Sequence, residues 1–323
     1  AVETSLSSAG AAVRGQQGSG GWGFSGNSEW ELGERGKAVS GTTAAQALKL
    51  LETAAATGDP TMLQAGLRAL DFCNRFDPIP RGGQTWEVPL HTPDVIVAGY
   101  LLMGHIRAYE LTGDGSWLGK GRHWAYAGLP FIYLWKAPER PIMPYATIPV
   151  LGCSAWLNPW YGRPVQWCGI ALIHPYQRFA QYDKDQDWAA IARRLIVASI
   201  QQMVDSDLRV YPDTAQTPQD ELYWYYPKPE ELARYEGMYP DNYRLFEDKD
   251  FCWGYMLSPN SHIPLSDAIL QELGTQPLAR TWTVPAGAGR IHVTAPVPVK
   301  RLALEGEDGV QVGGLLQQLP HGS

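Results

Sequence analysis

Cysteine is scarce in this chain, with four in 323 residues. Cys73, Cys153, Cys168 and Cys252 form no Cys-x-x-Cys pair, which removes the ligand spacing of common structural zinc sites and of thioredoxin-like redox motifs. Nor do His, Asp and Glu recur at a recognisable metal-ligand spacing, so neither a metal nor a cofactor is expected. No Lys/Arg-rich run occurs and the formal net charge is -7. The electrostatic footprint that a phosphate backbone requires is therefore missing, and nucleic acid is excluded as a partner. Long apolar runs are lacking too. The longest nearly uncharged stretch, Val95 to Ile106, is too short to cross a bilayer and reads as a buried helix. Charged residues make up only 18% of the chain against 45% hydrophobic, which excludes intrinsic disorder and leaves enough apolar side chain for a large core, in one large domain or two ordinary ones. The start at Ala1 fits removal of a signal peptide, and a secreted or periplasmic protein is the expectation. In that setting the cysteines form two disulfides or remain buried thiols, and Cys153 with Cys168 is the first pairing to test.

Phenylalanine is also rare, with 7 residues beside 13 Trp and 16 Tyr. The favoured aromatics carry a polar edge. Such rings suit positions where one face packs while the edge hydrogen-bonds, as in ligand grooves, and flat Trp and Tyr faces match the C–H face of a sugar ring. Large rings filling a large helical core are the structural alternative.

The helical periodicity comes in two kinds. Thr61 to Phe76 and Asp187 to Val204 carry one apolar stripe each, the pattern of outer, half-exposed helices, whereas Asp94 to Tyr109 and Cys168 to Phe179 are apolar nearly all round, the pattern of helices buried on every side. Thr57-Gly58-Asp59 and Thr112-Gly113-Asp114 each end a helix on glycine and open the next with an Asp cap, predicting tight turns between antiparallel helices. At the other end of the inner helices a second recurrence appears: Arg14-Gly15-Gln16 leading to Trp22, then Arg81, Gln84 and Trp86, then Arg163, Gln166 and Trp167. Long loops thus deliver Arg, Gln and Trp just before inner helices, and the simplest architecture is a mainly α fold of at least four helical hairpins closing into an α/α toroid over residues 1–275. From residue 276 to 323 the pattern changes to short β-prone runs split by Gly, Pro and Asp-Gly, predicting a β-rich segment, the possible start of a further β domain.

Inner helices of a toroid converge, so the loops preceding them meet at one mouth. Delivered there are Trp22, Arg81, Gln84, Trp86, Glu87, His91 and Asp94, then Tyr145, Trp160, Arg163, Gln166 and Trp167, then Asp220, Glu221 and Trp224. With its toroid pattern and aromatic loops the chain resembles the α/α-toroid carbohydrate-active enzymes over about residues 20 to 275. These include many glycoside hydrolases and the heparinase II/III-like polysaccharide lyases. The resemblance is architectural, brings no alignable catalytic motif, and implies a poly- or oligosaccharide substrate.

The residues themselves leave several chemistries open. A glycosidase needs one protonated carboxyl and one ionised carboxylate across the scissile bond, and Glu87 with Asp220 or Glu221 fits best. Hydrolysis is the favoured reaction. A lyase abstracts a proton beside a uronate carboxylate, for which Tyr145 or His91 serves as base while Arg81, Arg163 or Gln166 neutralises the acid. A glycan-binding toroid without catalysis is a third reading. The run Gln16 to Gly23 is similar to the Gln/Trp repeats of triterpene cyclases, a fourth, but the one Asp-rich run, Asp183 to Asp187, is expected on an outer turn in solvent. In His91-Thr92-Pro93-Asp94 a Thr92 cap with Pro93 at the first helical position explains Asp94 by the helix dipole and leaves His91 free to bind substrate or exchange protons. His174, ahead of Pro175, reads as a core histidine at a helix kink.

Overall fold

A computed structural model describes residues 2–26, 32–76, 78–85, 88–134, 144–153 and 165–202, together with the backbone of short strands between residues 239 and 312. The described part is mainly helical. Helix α1 spans Val2–Gly15, α2 Ser40–Thr57, α3 Pro60–Phe76, α4 Val95–Thr112 and α5 Ser116–Gly128. After a 3-10 turn at Leu129–Phe131 come α6 (Gln166–Gly169), a second 3-10 turn at Ile170–Leu172, α7 (Ile173–Phe179) and α8 (Trp188–Gln202).

The helices pair as three antiparallel hairpins, α2 with α3, α4 with α5, and α7 with α8, and α2, α4 and α7 also pack side by side. This makes two layers, with α2, α4 and α7 inside and α3, α5 and α8 outside, while α1 lies across α2 and α3. The assignment of Val95–Thr112 and of residues 166–179 to the inner layer follows from their packing and is clearest in the burial of α4, where every residue from Val95 to Gly99 and from Leu101 to Ile106 is buried. Three hairpins form an arc of the expected ring, and among the described residues a fourth hairpin and ring closure do not occur. No described helix is long and apolar enough to cross a membrane.

Local chemistry accounts for the tight ends. Gly58 and Gly113 close α2 and α4 in the left-handed conformation, at φ 73° and 72°, where a side chain would be strained. Asp59 then accepts from the Thr61 amide at 2.7 Å, and Asp114 accepts from the Ser116 amide at 2.9 Å. The third inner segment is broken where one continuous helix was expected. Pro175 has no N–H to offer the Ala171 carbonyl, so the helix gives way there. The side of α4 closes onto that carbonyl, where a Cβ on Gly99 would sit 2.3 Å from the Ala171 oxygen.

Beyond α8 the described backbone comprises three antiparallel ribbons of two strands each: β1 (Tyr239–Arg244) with β2 (Phe251–Leu257), β3 (Leu278–Ala286) with β4 (Gly289–Val297), and β5 (Leu304–Glu305) with β6 (Gln311–Val312). A β-rich segment beginning at residue 276 is not supported. The first ribbon falls inside the span expected to be helical, and no described sheet exceeds two strands.

Candidate functional site

The two ends of the inner layer differ. At one end the connections are the tight turns at Gly58, at Gly113 and between α7 and α8. At the other lie the long connections into α2, α4 and α6, of which residues 16–26, 32–39, 78–85, 88–94, 132–134, 144–153 and 165 are described. Those connections are tied to one another. The Gly41 amide donates to the Arg81 carbonyl at 2.7 Å, the Val95 amide to Pro149 at 3.0 Å and the Val165 amide to Thr147 at 2.7 Å.

The recurring glutamines make these ties specific. Gln16 donates through Nε2 to the carbonyls of Gly20 and Ala65, both at 2.9 Å, and accepts from Arg68 of α3 at 2.6 Å. Gln166 accepts from the Thr147 amide at 3.1 Å and donates to Ser199 Oγ of α8 at 3.0 Å. Both clamp a loop onto the outer helix of the hairpin that follows. Gln84 reaches the next loop instead, donating to the Pro149 carbonyl at 3.5 Å and accepting from the Cys168 thiol at 3.4 Å. Gln84 and Gln166 are fully buried. Trp22 and Trp167 are buried in the main core, and Trp22 Nε1 donates to the Ala12 carbonyl at 3.0 Å. The Gln/Trp recurrence, expected to line a substrate mouth, therefore carries packing and loop anchoring at these four positions. A buried amide with all of its groups engaged has none left for a ligand.

Asp94 is the N-cap of α4, correcting the expectation of Thr92. Its backbone is extended, Oδ1 accepts from the Ile96 amide at 2.9 Å, and Oδ2 accepts from the Gln84 amide at 2.8 Å. The cap contributes about 1 kcal/mol to α4. Complete burial pushes its carboxyl up to about 6, against the hydrogen bonds from Ile96 and Gln84, which favour the carboxylate. Nearly two turns further on, Tyr100 is half-buried, and its phenol is pushed up by burial and by the nearby Asp94 and Cys168.

The remaining candidates are dispersed. Arg81 donates to the exposed His91's carbonyl at 2.6 Å. Tyr145 stands at φ 69°, the one described non-glycine residue in the left-handed region, with its hydroxyl hydrogen-bonded by Arg194 of α8 and that guanidinium 5.0 Å from the ring centre. Its partner lies on the outer helix α8. His174 is half-buried on α7. Trp86, Glu87, Trp160, Arg163, Asp220, Glu221 and Trp224 lie outside the described residues.

Two further expectations are corrected. Cys153 is exposed and Cys168 is buried on Gln84, so the two are not joined as a disulfide. Asp183 of the Asp-rich run is buried, not solvated. It accepts from Arg122 at 2.6 Å and from Trp188 Nε1 at 2.8 Å, which makes it an anchor for α8, while Asp185 and Asp187 of the same run are exposed as expected.

Two networks were not anticipated. Arg107 of α4 holds Glu52 of α2 at 3.0 Å and Glu110 at 2.6 Å, and Glu110 also accepts from Tyr182 at 2.9 Å and from Arg178 of α7, bracing all three inner helices. His105 Nδ1 donates to the Leu101 carbonyl at 2.7 Å, while its Nε2 is 3.0 Å from Asn74 Oδ1, which also accepts from Trp124 Nε1 at 3.2 Å. Spacing on α4 and α7 carries a trace of the first network, since charged residues interrupt otherwise apolar helices there. Among the described residues no group of three or more metal-ligating side chains comes together.

No protein-family model matches the chain, and no curated relative does. Solved structures with a similar course include the unsaturated glucuronyl hydrolase from Bacillus sp. GL1, responsible for the degradation of glycosaminoglycan, at TM-score 0.48 and 11% identity over 83% of this chain and 67% of that one. An unsaturated glucuronyl hydrolase specific for heparin follows at TM-score 0.46 and 12% identity, over 83% and 67%. The GH76 α-mannanase from Bacteroides thetaiotaomicron is similar at TM-score 0.39 and 12% identity, over 72% and 70%.

Proposed function

We propose that this protein is a carbohydrate-active enzyme that hydrolyses glycosidic bonds in a poly- or oligosaccharide, exported from the cell, with residues 1–275 as its catalytic unit. The observation that carries the reading is the asymmetry of the inner layer. Long connections collect at the N-terminal ends of α2, α4 and α6, and the opposite end is closed by short capped turns. Rigid helices carrying long loops on one side are a common arrangement of a binding face. The sequence supplies those loops with acids and with aromatics that have a polar edge, the side chains that sugar binding and acid–base cleavage need.

In this reading Glu87 is the general acid and Asp220 or Glu221 the ionised partner. Trp86 beside Glu87 gives a sugar platform next to a carboxyl group. The test compares the wild-type protein with Glu87→Gln on a panel of polysaccharides, measuring turnover, glycan affinity and melting temperature together. General acid–base contributions are about 10² to 10⁴ in rate, so turnover is expected to collapse while affinity and folding persist. Near-normal turnover removes Glu87 from catalysis and transfers the role to Asp220 and Glu221. Absence of new reducing ends from any glycan with the wild type overturns the function itself.

A further inference from the structure

The first twelve residues of helix α4 contain one break in their burial. From Val95 to Ile106 every residue is buried except Tyr100. Its direction follows from helical geometry. Leu102 and His105 face α5, where a Cβ on Gly121 would meet the His105 Cβ at 3.2 Å and Leu102 Cδ1 at 3.8 Å. At 100° per residue Tyr100 points almost opposite to the mean of those two, on the face turned away from the outer layer.

The backbone beside Tyr100 is tightly packed: Gly99, next to it, is pressed on the Ala171 carbonyl, and Asp94 and Cys168 lie close enough to act on the phenol. Asp94, Gln84 and Cys168 behind it are engaged with one another. The Tyr100 hydroxyl, by contrast, has no hydrogen bond among the described residues. A half-buried phenol at the loop-bearing end of an inner helix, with its ring in the core and its polar tip unengaged, is in the state of a group that meets a ligand.

Resting on the reading of the protein as a glycan-cleaving enzyme, we infer that Tyr100 is a substrate-binding residue whose hydroxyl donates a hydrogen bond to an oxygen of a neutral sugar unit. Burial and the neighbouring Asp94 and Cys168 keep the phenol protonated across the neutral range, so it acts as a donor. The nearby Asp94 carboxyl, which already acts against negative charge on the phenol, disfavours a second negative charge there, so a neutral hexose or pentose suits this position better than a uronate.

The experiment uses the full chain labelled with 3-fluorotyrosine, with the Tyr100 resonance assigned by its loss in Tyr100→Phe. Titrations with mannohexaose, cellohexaose, xylohexaose and a trimeric hexuronate are each followed by fluorine NMR, beside turnover on the parent polysaccharides. The expected result is a shift of the Tyr100 resonance with one neutral oligosaccharide. Tyr100→Phe then weakens that affinity roughly three- to tenfold, the size of one hydrogen bond to a neutral partner. In turnover the loss falls on KM more than on kcat, and the melting temperature moves by no more than about 2 °C because no protein partner is lost. A Tyr100 resonance that no sugar moves overturns the inference, as does a response to the hexuronate alone or an affinity unchanged in Tyr100→Phe. If turnover is present while the resonance stays still, this residue assignment fails and the function stands. A resonance that moves without any turnover leaves the binding role and removes the cleavage reaction.

Discussion

Replacing Asp94 by asparagine exposes a balance between two buried titratable groups. Asp94 is raised from 3.8 to about 6 and His105 lowered from 6.5 to about 4, each because burial disfavours its charged form. Their effects on stability run in opposite directions. For Asp94 the folded value lies above the unfolded one, so its full contribution is present below pH 3.8 and is lost as pH rises through 6. For His105 the folded value lies below the unfolded one, so its contribution is present above pH 6.5 and is lost as pH falls through 4. Each spans about two units, or roughly 3 kcal/mol, with a slope near 1.4 kcal/mol per pH unit. Between pH 4 and 6 the two slopes nearly cancel, and the wild-type protein is flat in their joint contribution. Asp94→Asn removes one of them. The amide oxygen still caps Ile96, but the NH2 group then faces the Gln84 amide donor, a loss of about 1 to 3 kcal/mol. That loss shows fully near pH 4 and is offset near pH 7, where the variant no longer buries a charge. Urea unfolding followed by tryptophan fluorescence from pH 4 to 7.5 measures this directly. The variant is expected to gain about 3 kcal/mol relative to wild type from the acid end to the neutral end. A difference that stays constant with pH refutes the account of Asp94 as a buried, raised carboxyl.

Other outcomes follow from the packing. Gln166→Leu is expected to cost about 2 to 3 kcal/mol in unfolding free energy, since the Thr147 amide and Ser199 are left without their partner; unchanged stability with lost glycan affinity contradicts the clamp. Glu110→Gln leaves Arg107 and Arg178 under-compensated and is expected to lower stability by about 2 kcal/mol in a chemical melt, with little sensitivity to salt because Glu110 is only 15% exposed. Iodoacetamide applied to the native protein is expected to modify Cys153 and to spare Cys73 and Cys168 until unfolding, as mapped by peptide mass; burial also holds the Cys73 thiol protonated.

The inner helices and their turns were legible because their causes are local. All-round apolarity marks α4, and Gly followed by Asp marks the ends of α2 and α4. The interruption of the third inner segment was not, because a proline inside an apolar run leaves open whether a helix bends or stops, and the close approach of Gly99 to the carbonyl it frees comes from another helix, distant in sequence. Helix α1 lacks a strong stripe and is held by Trp22 and by Lys49 on Ser8, contacts distant in sequence. The loop glutamines were visible as a pattern, but whether a repeated Gln/Trp faces substrate or anchors a loop depends on burial, which spacing does not encode. Tyr100 was hidden for the opposite reason, since an aromatic residue within an apolar helix looks like core until its direction is known.

The central claim is that the protein cleaves glycosidic bonds with water. Incubating the wild-type chain with polysaccharides in heavy-oxygen water and weighing the products by mass spectrometry tests it most directly. The account predicts new reducing ends carrying solvent oxygen and no unsaturated uronate. Products with an unsaturated non-reducing end and no solvent oxygen contradict hydrolysis, and no products at all contradict cleavage.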